Sequence, residues 1–137
     1  MPIPGLLTEK VINAIFEVAN TLGAGFLEKV SEKSLLKELA LRGIPAAAQK
    51  PFPIACKGHS VGDNIADIVV QNQLLVEVKC TDRLANQHTA QCINYLRASG
   101  LTLCLLVNFK KPRVEIKRIV YGYDPESNEN PIPIHPR

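Results

Sequence analysis

The chain of 137 residues is long enough for one domain with a buried core, and a hydrophobic content of 46% is typical of a globular protein, which excludes a largely disordered chain. Lys and Arg number 16 against 13 for Asp and Glu, so the formal charge of +3 is compatible with a nucleic-acid partner but is weak evidence for one. No apolar run approaches the roughly 20 residues that a membrane helix needs, so we expect no membrane partner.

The N-terminus and the cysteines indicate a cytoplasmic protein. Residues 1–5 have neither the basic region nor the long apolar core of a signal peptide. The four cysteines contain no CxxC pair and no His/Cys spacing suited to zinc; they are Cys56, Cys80, Cys92 and Cys104. We interpret them as reduced structural thiols, because disulfides follow the redox compartment.

Two helices are predicted in the first third of the chain. Apolar residues recur at helical spacing over residues 8–22, with Thr8 as the expected N-cap. A second helix is expected over about 27–42, because Gly43 follows it as a stop signal.

The rest of the chain is predicted as five extended segments and one further helix. Pro51 and Pro53 interrupt the first segment, at 46–57, and favour a sheet edge. The other strands are expected at about 64–70, 74–79, 101–108 and 114–121, and a helix with Asn86 as its candidate cap at 86–99. This order predicts an α/β protein with a mixed sheet, one domain at 1–121 and a Pro-rich tail at 122–137.

Charges inside two neighbouring apolar strands are the strongest functional signal. Asp67 interrupts the first of these strands, and Glu77 and Lys79 interrupt the second, where alternation places both on one face. A three-residue hairpin loop at 71–73 would set Asp67 opposite Glu77, with the Cβ atoms about 5 Å apart. Two carboxylates that close repel each other, and a divalent cation such as Mg²⁺ would remove the conflict. The pattern therefore predicts a metal-dependent phosphodiesterase centre, with Lys79 facing a phosphate.

Asp67, followed after nine residues by Glu77-Val78-Lys79, resembles the signature of the PD-(D/E)xK nuclease superfamily. The resemblance implies a restriction-endonuclease-like α/β core with a mixed central sheet flanked by helices. It also implies Mg²⁺ or Mn²⁺ as cofactor, held by Asp67 and Glu77 and by the backbone carbonyl of Val78. Nucleic acid, with DNA as the first candidate, is the implied partner and substrate.

Two further segments resemble this superfamily. Gln91 and Tyr95 match the QxxxY accessory motif of RecB-like and lambda-exonuclease-like branches, which implies contact with a phosphate or with the water around the metal. Residues 25–31 resemble the motif that names the GxxExxY family, which implies that Glu28 is a catalytic or metal-binding glutamate. Ser31 stands where that family has its tyrosine.

A structural role remains open beside each functional one. Asp67 and Glu77 could be solvated charges on an edge strand, and Lys79 a salt-bridge partner at a strand end. Glu28 could be a first-turn glutamate favoured by the helix dipole. Gln91 and Tyr95 could belong to an ordinary polar helix face. A basic segment is compatible with DNA-backbone contact or with a solvated strand; its members are Lys110, Lys111, Arg113, Lys117 and Arg118.

We therefore expect a metal-dependent nuclease that hydrolyses the phosphodiester bonds of nucleic acid. The alternative is a non-catalytic module that binds nucleic acid or protein on a nuclease-like fold. The sequence leaves DNA or RNA as substrate, endonuclease or exonuclease action, and a homodimer open.

Overall fold

The chain folds into one five-stranded sheet with helices packed on both faces. The computed structural model describes residues 4–122, so most of the Pro-rich tail lies outside the described residues. Over this range the elements follow in the order α1 (Pro4–Leu22), α2 (Glu28–Leu41), β1 (Ala46–Cys56), β2 (His59–Val70), β3 (Leu74–Lys79), α3 (Asn86–Ser99), β4 (Leu103–Asn108) and β5 (Glu115–Val120).

The sheet is mixed, as predicted. Its strands lie in sequence order, and only the β3–β4 pair is parallel among the described strands. Parallel neighbours need a crossover connection, and α3 provides it. The strand β1 lies at the edge, which confirms the position expected from Pro51 and Pro53.

Two hydrophobic clusters cover the two faces of the sheet. One cluster joins α1 and α2 to the sheet, and its members include Val11, Ile15, Leu35, Leu39, Val76 and Val107. The other joins α3 to the sheet, and its members include Val69, Leu75, Cys92, Tyr95, Leu96 and Leu106. Because side chains alternate along a strand, Glu77 and Lys79 share the face of Leu75, which is the face that α3 covers.

The two predicted helix caps are wrong. The helix α1 begins at Pro4, so Thr8 lies inside the helix and is buried. Proline suits the first turn because its missing N–H has no helical partner there. At α3 the N-cap is Ala85, and His88 Nδ1 accepts a hydrogen bond from the Ala85 N–H at 2.9 Å.

The strand β2 begins earlier than predicted, because β1 and β2 pair along their whole length. The ladder continues to Cys56 opposite His59, which leaves only Lys57 and Gly58 as the turn. Both turn residues have positive φ values of 51° and 79°, as a two-residue hairpin of type I′ requires.

All four cysteines are free, as predicted. Within residues 4–122 no helix combines the length and apolarity needed to span a membrane.

Candidate active site

The β2–β3 hairpin brings the two predicted carboxylates together. The ladder pairs Ile68 with Val76, so the next step of the same register sets Asp67 across from Glu77. At this step the Asp67 carboxylate oxygen Oδ2 accepts a hydrogen bond from the Val78 N–H at 2.9 Å. The Asp67 side chain is thereby fixed against the backbone of the strand that contains Glu77.

Glu77 is a buried carboxylate that its surroundings satisfy only in part. The residue is 3% exposed, and its Oε2 lies 3.5 Å from Lys79 Nζ. Its Oε1 atom is buried without a hydrogen-bond partner. Tyr95 and the Asp67 N–H lie near the carboxylate, but neither completes a hydrogen bond to Oε1. An unsatisfied buried carboxylate oxygen is costly and rare in folded proteins.

Both carboxylates hold a proton more tightly than usual. Burial, followed by the negative charge of Asp67, raises the pKa of Glu77 to about 8, although the Lys79 ammonium opposes the shift. Burial also raises the pKa of Asp67, and the hydrogen bond from Val78 opposes that rise. Without a cation the pair therefore retains a proton, because a single lysine does not compensate two carboxylate charges at this position.

The helix α3 places the QxxxY residues beside the carboxylates. Gln91 Nε2 donates a hydrogen bond to the Tyr95 hydroxyl at 3.0 Å, across one turn of the helix. Burial raises the pKa of the Tyr95 hydroxyl, and the charges of Glu77 and Asp67 raise it further. Tyr95 thus lies within electrostatic reach of both carboxylates.

The helix α2 approaches Asp67 through two glutamates, of which only Glu28 was predicted. The negative charges of Glu32 and Glu28 both raise the pKa of Asp67, and Glu32 has the larger effect. Glu28 is exposed at the first position of α2. Glu32 is buried, and Gln49 Nε2 donates to its two oxygens at 3.1 and 3.0 Å. Sequence reasoning missed Glu32, although its i, i+4 spacing from Glu28 places both on one helix face.

Ser31 lies where the GxxExxY family has its tyrosine, and here the side chain is buried. Its Oγ lies 3.9 Å from Cys80 Sγ, directly after the end of β3. The residue at position 31 therefore contacts Cys80, the first residue after the end of β3. The short hydroxyl reaches Cys80, and a phenol in the same place would extend well beyond it.

Asn108 is a second buried polar residue at this edge of the sheet, and it was not predicted as a site residue. It is fully buried and is the Cα partner of Lys79 in the parallel ladder. Its only signal in the sequence is an amide side chain at the end of a nearly continuous apolar strand. An amide that is buried among apolar neighbours needs hydrogen-bond partners.

The donor set fits a hard divalent cation. Carboxylate oxygens are the ligands that Mg²⁺ prefers, and one or two of them suffice when water and substrate phosphate complete the shell. Within residues 4–122 no three His, Cys, Asp or Glu side chains converge as a metal cluster, so Glu28 and Glu32 do not join the pair directly. The unpartnered Glu77 Oε1 is the atom that a cation would satisfy.

A pair of carboxylates, one buried and one half-buried, and a lysine on neighbouring strands of a mixed α/β sheet are the arrangement of a restriction-endonuclease-like core. The family model of the PD-(D/E)XK nuclease superfamily matches residues 6–119. The chain therefore belongs to the PD-(D/E)XK nuclease superfamily. No curated protein shows significant similarity to the chain.

One solved structure shows the same fold at low sequence identity, and a second shows a weaker similarity. The structure of SSO0001 is similar with a TM-score of 0.57 and 17% identity, over 72% of this chain and 52% of that one. An alkaline exonuclease, LHK-Exo from Laribacter hongkongensis, gives a TM-score of 0.47 and 14% identity, over 62% of this chain and 51% of that one. The matched regions thus span about half the length of these two proteins. The expected fold class is confirmed.

Proposed function

We propose that the chain is a divalent-metal-dependent nuclease that hydrolyses phosphodiester bonds of nucleic acid, with DNA as the first candidate substrate. The observation that supports this most directly is Glu77, a buried carboxylate with one unpaired oxygen beside a second carboxylate and a lysine. A purely structural glutamate at this position would be more stable with its oxygens hydrogen-bonded.

Asp67 and Glu77 are the proposed metal ligands, with the Val78 carbonyl as a backbone ligand and Glu28 as a further catalytic group or a metal-binding group that acts through a bridging water. Mg²⁺ or Mn²⁺, when bound, would supply positive charge that lowers the pKa of a water molecule and polarises the phosphate. The Val78 N–H holds the Asp67 carboxylate in place, so this ligand is oriented before the cation arrives.

Lys79 is the proposed electrostatic catalyst. Its ammonium lies 3.5 Å from Glu77 Oε2 and is mostly buried, so it is preorganised at the carboxylate pair. Positive charge at this point stabilises the negative charge that grows on the phosphate oxygens in the transition state. Tyr95 and Gln91 border the same site from α3, where their hydrogen bond orients the phenol.

Within the superfamily, we assign the chain to the GxxExxY branch on the basis of Gly25 and Glu28. We also propose that residues 1–121 form one nuclease domain that acts in the cytoplasm.

A non-catalytic binding module on the same fold is the second candidate. It is favoured by Ser31, because the family tyrosine that would border the site is absent. A module of this kind would bind nucleic acid or protein without turnover.

Incubation with closed circular DNA, linear duplex, single-stranded DNA and RNA tests the proposal. Mn²⁺ and Mg²⁺ should each be tried against a chelator, with Asp67→Asn and Glu77→Gln as the site variants. Asp63→Asn removes an exposed carboxylate from the same strand as Asp67 and is the matched control. We expect metal-dependent cleavage by wild type and Asp63→Asn, and none by the site variants. Absence of cleavage of all four polymers by wild type would favour the binding module.

A further inference from the structure

The loop between β4 and β5 concentrates basic side chains at the edge of the sheet where the candidate site lies. Lys110, Lys111 and Arg113 occur within four consecutive positions, and all three are exposed. We call these three residues the basic loop. The sequence grouped them with Lys117 and Arg118, but the structure separates the two sets.

The basic loop begins beside Lys79. Asn108, the last residue of β4, is the Cα partner of Lys79 in the parallel ladder. The next residue, Phe109, donates its backbone N–H to the Lys79 carbonyl oxygen at 2.9 Å. The carboxyl ends of parallel strands lie at the same edge of the sheet. Lys110, which comes two residues after the end of β4, therefore lies at the edge where β3 ends with Lys79.

Asn108 fixes the start of this loop through four hydrogen bonds. Its Oδ1 accepts from the N–H groups of Thr81 and Lys110, each at 3.1 Å. Its Nδ2 donates to the Thr81 carbonyl at 2.8 Å and to Glu115 Oε1 at 2.9 Å. The segments that follow β3 and β4 are thus joined by one buried amide. Such a network fixes the backbone at the start of the loop relative to the end of β3.

The positive charge of the basic loop is almost uncompensated. Lys110 Nζ lies 3.8 Å from Asp82 Oδ1, but the two side chains are 48% and 93% exposed, so solvent screens this pair. Among residues 4–122 no acidic side chain forms an ion pair with Lys111 or Arg113. By contrast, Lys117 Nζ donates to Thr89 Oγ1 at 3.2 Å on α3, which occupies it within the protein.

We propose that the basic loop binds the phosphodiester backbone of the substrate next to the phosphate that is cleaved. The proposal rests on the proposed nuclease function. Exposed lysines and an arginine recognise phosphate without reading base sequence, because the backbone charge is the same at every nucleotide. Because the loop begins beside Lys79, its phosphate contacts would set the register of the nucleic-acid strand relative to Asp67 and Glu77.

Binding in the presence of EDTA tests the loop separately from cleavage. The probe is a short fluorescein-labelled DNA, single-stranded or duplex, whose anisotropy is measured between about 50 and 200 mM salt. The variant is Lys110→Ala/Lys111→Ala/Arg113→Ala, and Lys111→Glu is a milder second variant. The control, Lys10→Ala/Lys33→Ala/Lys37→Ala, removes the same charge from exposed positions of α1 and α2. Melting curves verify that each variant is folded.

We expect the basic-loop variant to bind about tenfold more weakly. The magnitude of the slope of log affinity against log salt should fall by about two to three, since each of three lost phosphate contacts accounts for about 0.7–0.9. The control should change neither quantity. In Mn²⁺ assays the basic-loop variant should raise KM, and it should also lower kcat because the bound strand is no longer held in register with the carboxylate pair.

Equal weakening by both triple variants would overturn the proposal, because it would show diffuse attraction to net charge. Unchanged binding by the basic-loop variant, or no DNA binding by wild type, would overturn it as well. Cleavage by wild type in any of these cases would leave the nuclease function intact. DNA binding that depends on the loop, without cleavage, would support the loop and count against the nuclease.

Discussion

Glu77 and Asn108 are two buried polar residues on neighbouring strands of the same sheet, and they differ in how well they are satisfied. Asn108 makes four hydrogen bonds at the end of β4. Glu77, on β3, lies near Lys79, Tyr95 and the Asp67 N–H, but its Oε1 atom has no hydrogen-bond partner. The fold thus contains a complete polar network beside an incomplete one. An incomplete buried network destabilises a protein, so the unpaired oxygen of Glu77 indicates a functional role rather than a structural one.

The largest effect is expected from Lys79→Ala on catalysis. Loss of one preorganised charge that acts in the transition state costs roughly 10²–10³ in rate. Lys79→Arg should rescue poorly, because a planar guanidinium does not replace a compact ammonium. Single-turnover cleavage of end-labelled DNA and RNA measures the effect, with Lys33→Ala as an exposed-lysine control. Equal rates for wild type and Lys79→Ala would remove Lys79 from the mechanism.

Asn108→Ala should reduce stability more than any change at Glu77. The substitution leaves the N–H and C=O of Thr81 and the N–H of Lys110 without their partner, which lowers the free energy of unfolding by about 2–3 kcal/mol. Urea unfolding measures this, and Asn94→Ala, at an exposed position of α3, is the matched control. A loss no larger than that of the control would show that the network is not a structural clamp.

Glu77→Gln should instead increase the free energy of unfolding of the protein without metal. Folded Glu77 keeps its proton to about pH 8, whereas the unfolded residue loses it near its ordinary value of 4.5. The folded state therefore binds more protons between these values, and the stability of wild type should fall as pH rises from about 5 to about 8. Glu77→Gln should flatten this dependence and raise the free energy of unfolding at pH 8 by about 1–3 kcal/mol.

Unfolding at several pH values in EDTA checks the sign. A wild-type curve that is flat or rises over this interval would show that Glu77 ionises without penalty. Asp63→Asn is again the exposed control, and it should follow the wild-type curve.

The smallest effect is expected at α2. If Glu28 contributes to the metal site, Glu28→Gln should weaken Mn²⁺ binding severalfold, by about 0.5–1 kcal/mol, since an exposed charge acts through solvent. Glu32→Gln is the informative comparison, because Glu32 has the larger influence on the Asp67 carboxylate. Isothermal titration with Mn²⁺ measures both variants. Unchanged affinity in Glu28→Gln would leave the glutamate as a helix-terminal charge.

Local patterns were sufficient for most of the fold. Apolar periodicity predicted the helices and strands, and the prolines of β1 predicted an edge strand. Thr8 and Asn86 failed as caps because α1 extends four residues further back and His88, rather than a cap side chain, bonds the Ala85 N–H. The early part of β2 has little apolar content, and only its pairing with β1 makes it a strand.

The site was predictable only where its residues lie close in sequence. Asp67 and Glu77 are linked by one hairpin, so their register follows from the loop length. Glu32 and Asn108 matter because of hydrogen bonds to residues distant in sequence, Gln49 and Thr81. A local sequence pattern does not predict such contacts.

Thermal unfolding with and without Mn²⁺ tests most directly whether Glu77 is a metal ligand. A cation that binds only the folded state adds about 2.7 kcal/mol of stability at one hundred times its dissociation constant. Wild type and Asp63→Asn should therefore melt at higher temperature in Mn²⁺, whereas Asp67→Asn and Glu77→Gln should not respond. Absence of a shift in wild type at millimolar Mn²⁺, or an equal shift in Glu77→Gln, would contradict the account.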